Sequence, residues 1–137
     1  MILDSFLFMA DAITVGSSTA AVLTTSYIDT IAEGDDYAGC WFVNRCATAV
    51  LSGTADATVT FNLLHCDTTV ASAFTTLVSS GAIDDAVTVA GYTSKLRIPT
   101  GTKRYLMGSI VTSQVTTSGT VDTFIAKDVD VNMQLLP

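Results

Sequence analysis

A chain of 137 residues is one domain by size, long enough to bury a core without disulfide or metal staples. Its net charge of -7 speaks against nucleic acid as the main partner, because phosphate binding needs a basic face. No apolar run approaches the ~18 residues of a membrane-crossing helix, so no membrane partner is expected. Only 14% of residues are charged and 49% are apolar, against about 25% charged in an average soluble domain. Part of the surface is therefore expected to be covered by protein, most simply in a symmetric homo-oligomer, a dimer rather than a trimer.

The chain opens on MILDSFLFM, apolar apart from Asp4 and Ser5 and without the basic start of a signal peptide, so synthesis without Sec export is expected. Residues 1–15 read as an arm that packs on a sheet or a sister subunit, with Met1, Ile2, Leu3, Phe6 and Phe8 as its contacting side chains. Ala32–Asp36 is a polar break. Cys40–Cys46 (CWFVNRC) has apolar groups on both faces, as an internal strand does. Tyr37, Trp41 and Phe42 read as core, with a sugar-stacking platform as the alternative. In Ala57–Cys66, Ala57, Val59, Phe61 and Leu63 alternate with Thr58, Thr60 and Asn62, the signature of a strand with one buried face. His65 shares the parity of the apolar set and reads as a structural histidine.

Thr69–Val78 lacks a clean helical period and predicts a short turn at most, with Phe74 in the core. Ser79–Asp85 is a second polar break. Ser94, Leu96 and Ile98 oppose Thr93, Lys95 and Arg97, placing the two basic groups toward solvent. Pro99-Thr100-Gly101 predicts a turn, Tyr105–Thr112 a strand in which Gly108 marks a bulge or close backbone contact, and Thr117-Ser118-Gly119 a second hairpin turn. Val121, Thr123 and Ile125 then oppose Thr120, Asp122 and Phe124. The tail 129–137 has no assigned element. Strands at this spacing predict an all-β fold, an antiparallel β-sandwich or barrel, with no repeat or linker to divide it.

Catalytic and metal chemistry find little support. Cys40, Cys46 and Cys66 cannot all pair, and they read as reduced, small buried hydrophobes. A zinc site of thiols with His65 lacks a Cys-x-x-Cys anchor. Asp35-Asp36 and Asp84-Asp85 lack the alternating oxygen ligands of a calcium loop and read as solvated carboxylates. No cofactor is expected. Five of the six basic residues, Lys95, Arg97, Lys103, Arg104 and Lys127, fall between Thr93 and Asp128. Lys95, Arg97, Lys103 and Arg104 are expected at one end of a sheet, joined by a hairpin, as a contact patch. For Arg104 the alternative is a structural ion pair with an acid such as Asp122.

In several places the chain resembles the Bbp16-like capsid cement proteins of tailed bacteriophages. The likeness begins at Met1-Ile2-Leu3-Asp4 and Asp11-Ala12, and resumes from Asp67 through Phe74 to Ser80-Gly81-Ala82-Ile83 and Ala90-Gly91. It is firmest in Leu96–Leu106 (LRIPTGTKRYL) and continues in Ser118-Gly119-Thr120-Val121. The strand with Cys40, Trp41 and Cys46 departs from the family pattern. The resemblance implies a jelly-roll-like sandwich without catalytic activity. Such a protein sits on the outside of an HK97-type capsid in the virion, bridging neighbouring major capsid subunits, and is made in the host cytoplasm. The competing readings are a carbohydrate-binding or fibre-type jelly-roll module and, more remotely, a small enzyme.

Overall fold

The computed structural model describes residues 8–16, 20–31, 37–54 and 56–127. They form ten strands: β1 (Phe8–Thr14), β2 (Val22–Leu23), β3 (Ile28–Asp29), β4 (Trp41–Ser52), β5 (Thr58–Cys66), β6 (Thr75–Ser79), β7 (Ile83–Asp84), β8 (Thr93–Arg97), β9 (Tyr105–Thr112) and β10 (Thr116–Ala126). One sheet has the order β1-β10-β4-β8. The other runs β2-β9-β5-β6, with β3 continuing β2 along β9 and β7 continuing β6 along β5. Every pairing is antiparallel.

Taking β2–β3 and β6–β7 as interrupted single runs, every connection crosses between the sheets except β5 to β6. That is the double-sheet order of a jelly roll. The predicted hairpins are therefore corrected. Pro99–Gly101 does form a turn, with Gly101 at a φ of 85°, but β8 and β9 lie in different sheets. Thr117–Gly119 lies inside β10, and the chain turns at Ser113–Val115 instead.

The alternation read from the sequence sets the core. Phe42, Cys46, Val121 and Ile125 from one sheet meet Phe61, Leu63, Leu106 and Ile110 from the other, all nearly inaccessible to solvent. Cys40 joins this cluster, and burial, with Asp122 nearby, pushes the Cys46 thiol up to about 11. A polar layer crosses the centre. Asn44 pairs with Thr123 on one side and Ser94 on the other, and Thr123 Oγ1 donates to Asn44 Oδ1 at 3.0 Å. Facing them, Gly108 exchanges hydrogen bonds with Thr24, through its N–H to Thr24 Oγ1 and its carbonyl to Thr24 N. A Cβ at Gly108 would come within 2.7 Å of Thr24 and 2.9 Å of Thr123, so this glycine lets the two sheets close.

Two expectations fail locally. Thr69–Val78 holds a single 3-10 turn, Ala71–Ala73, but its second half is strand β6. Phe74 is half-buried and stands outside the main core. β6 escaped notice because Leu77 is an extra residue in its register with β5, and the bulge hides the alternation.

The sheet edges are blunted in different ways. β1 carries two register breaks, at one of which the Ala12 N–H donates to Asp122 Oδ1 at 2.8 Å. β2 and β3 are two residues each, β6 is bulged, and β8 presents Lys95 and Arg97. Short, bulged or charged edges discourage strand-to-strand association. Faces and loop ends are thus the surfaces open to partners.

Candidate contact surface

One end of the sandwich gathers the start of β4, the ends of β3, β5 and β8, and the start of β9. The segment from Ile98 to Arg104 ties it together. Ile98 exchanges backbone hydrogen bonds with the Gly39–Cys40 turn of the first sheet, while the Lys103 N–H donates to His65 Nδ1 at 3.3 Å in the second.

The expected basic cluster is divided by this crossover. Lys95 and Arg97 lie on the outer side of β8, in register with Val43 and Trp41, and the Arg97 guanidinium stands 5.8 Å from the Trp41 ring centroid. Among the described residues neither Lys95 nor Arg97 forms an ion pair. Lys103 and Arg104 belong to the other sheet's end, and both are paired within the chain. Lys103 Nζ is 3.3 Å from Asp67. Arg104 grips Asp29 with two bonds, Nε at 2.9 Å and Nη2 at 3.0 Å, and its guanidinium lies 5.0 Å from the Tyr105 ring centroid.

Arg104 is thus structural, but its partner is Asp29 on the neighbouring β3 rather than Asp122. The guanidinium hydrogen bond, helped by the Ile31 N–H, holds the Asp29 carboxyl below its ordinary value. The Arg104 carbonyl also accepts from the Thr30 N–H and Oγ1, fixing β3 to the start of β9.

The end therefore presents two arginine–aromatic pairs, one per sheet: Arg97 with Trp41, and Arg104 with Tyr105. Tyr27 meets the Tyr105 ring edge-on at 5.4 Å and remains 46% exposed, and Ile31, two residues past the end of β3, is 82% exposed. Tyrosine, tryptophan and arginine dominate binding energies at protein interfaces. Sequence reading did not single out Tyr27, Tyr105, Asp29 or Asp67. Their roles depend on pairings across the sheet that no local pattern carries.

Phe8 is committed within the chain. It stacks on Phe124 at 5.3 Å, in a small second cluster with Val43, Ala126 and Trp41. Met9 behind it is buried in the main core. Met1, Ile2, Leu3 and Phe6 lie outside the described residues, as do the tail 129–137 and the break Ala32–Asp36.

Phe42 is in the core while Trp41 is on the opposite side of β4, so the two do not form one sugar platform. Asp84 accepts from the Ala86 N–H and shapes the local turn, while Asp85 accepts from the Ser52 N–H and ties that turn to the end of β4. Cys66 is buried, with its sulfur against Thr68 Oγ1 and N–H, contacts that lower its thiol pKa. No family model and no curated protein matches the chain.

Proposed function

We propose that this chain is a capsid cement protein, binding the outside of an HK97-type phage shell as a symmetric homo-oligomer, with a dimer favoured, and bridging neighbouring major capsid subunits. One observation carries the reading. The LRIPTGTKRYL stretch that most resembles the cement family forms the crossover of a jelly roll and supplies both arginines of the partly exposed arginine–aromatic pairs. Jelly rolls are frequent in viral shells. Cementing needs rigid shape and many modest contacts, which repetition across a lattice multiplies into high avidity. Blunted edges suit that role, because they favour association through faces and ends.

Co-sedimentation tests the proposal. The protein is expected to pellet with assembled capsids and to stay in solution with free capsid protein; equal behaviour with both would refute lattice bridging. Light scattering at high concentration is expected to show an oligomer, and a monodisperse monomer would remove the oligomeric part of the proposal.

The basic residues give a second test. Exposed ion pairs are individually weak, so reversing Lys95, Arg97 or Lys103 singly should change capsid binding little. Reversing all three to glutamate should weaken binding about three- to a hundredfold at low salt, with the difference shrinking as salt screens the contacts. An unchanged melting profile would show that the fold survives. Wild-type binding by the triple variant at low salt would make these residues a solvated face.

A further inference from the structure

We propose that His65 is an acid-sensitive latch that holds the crossover between β8 and β9 in place while its imidazole is neutral. His65 lies near the end of β5, opposite Leu106 of β9 and Thr75 of β6. Its Nδ1 accepts the Lys103 N–H at 3.3 Å, a hydrogen bond that joins the imidazole to the crossover. The ring can accept at Nδ1 only when neutral, with its proton on Nε2. The Lys103 side chain adds a second point of attachment, through Asp67 on the loop that follows β5. The crossover is thus fastened to the end of β5 at two points, by the hydrogen bond to the imidazole and by the Lys103–Asp67 ion pair.

Protonation at Nδ1 converts the acceptor into a donor facing another donor. It also places an imidazolium near the Lys103 ammonium. The charged and titratable groups around the ring act in opposite senses. Lys103, from the crossover, disfavours the imidazolium and Asp67 favours it, while partial burial also disfavours it. Cys66 is the next residue on the same strand, Tyr105 of β9 lies opposite Cys66, and β6 brings Thr75 to this register. Burial is the largest influence, followed by Lys103, and together they hold the imidazole below its ordinary value of 6.5.

The direction of the pH dependence is set by that depression. Between the folded and unfolded pKa values the unfolded chain binds more protons, so stability falls as pH drops from about 6.5 through the folded value. The first structure to loosen on that descent is the segment that positions Lys103 and Arg104. The latch is a property of the chain alone and does not depend on what the surface binds.

NMR titration of the full chain tests it. The wild-type His65 ring should titrate below 6.5, and the Lys103 and Arg104 amides should shift with that same midpoint. Lys103 amide protection, corrected for intrinsic exchange, should fall about tenfold for each unit by which the imidazole is depressed. His65→Gln keeps a side-chain acceptor that does not titrate, so it should retain the folded spectrum and lose the transition. His65→Phe, lacking the acceptor, should show the loosened crossover at every pH. Crossover amides that ignore the His65 titration, or a transition that persists in His65→Gln, would overturn the latch. Should capsid binding prove absent, these outcomes would still decide it.

Discussion

Adding one methyl group at Gly119 is expected to destabilise the protein by about 2–6 kcal/mol, a large part of the roughly 5–15 kcal/mol that holds a domain together. Gly119 sits within β10 at the middle one of three register shifts against β4, at a φ of 140°, where side chains are strongly disfavoured. Its carbonyl accepts the Val15 N–H at 3.0 Å, which anchors the end of β1. A Cβ there would lie 2.8 Å from Val50 Cγ2 and 2.9 Å from Val50 Cα. The second of these is backbone in the central strand β4 and cannot rotate aside. Urea unfolding should show a lower midpoint at unchanged slope.

Two other glycines separate the contributions. Gly81 has a φ of 70°, and a methyl group added there would meet nothing within 4 Å, so alanine adds only conformational strain. Gly108 meets side chains rather than backbone, and part of the crowding can relax. If Gly119→Ala is no worse than Gly81→Ala, contact with Val50 is not what requires the glycine.

The strands readable beforehand were those with one buried face and enough length to show it. β5, β8 and β10 follow the expected parity, β9 forms where a strand was expected, and β4 proved central as its two apolar faces implied. The connections were not readable. A Pro-x-Gly turn looks the same whether the next strand returns to its neighbour or crosses to the opposite sheet. Of the connections in a jelly roll, only β5 to β6 is a local hairpin here. β2, β3 and β7 are two residues each, too short to show a period.

The same non-locality divided the basic cluster. Arg104 lies 75 residues from Asp29, and only the pairing of β3 with β9 makes them neighbours. His65 was legible as structural, but its hydrogen-bond donor, 38 residues away in the crossover, was not.

Asn44→Asp, nearly the same shape as the native residue, is expected to be destabilising by several kcal/mol at neutral pH and to recover in acid. Asn44 is fully buried, on the same face of β4 as Phe42 and Cys46. Its Oδ1 accepts from Thr123, while Nδ2 has no partner among the described residues. An aspartate there must either ionise in the core or keep its proton. Burial favours the second, raising its folded pKa above the unfolded value of about 3.9. Between those values the folded protein binds more protons than the unfolded chain, so stability falls as pH rises. This slope is opposite to the one His65 produces, so the two effects can be told apart in one set of melting curves. Asn44→Leu alone should cost about 1–3 kcal/mol because it strands the Thr123 hydroxyl, whereas Asn44→Leu with Thr123→Val removes both partners and should be closer to neutral. An Asn44→Asp variant as stable as wild type at pH 7 would mean that water reaches the centre of the sandwich.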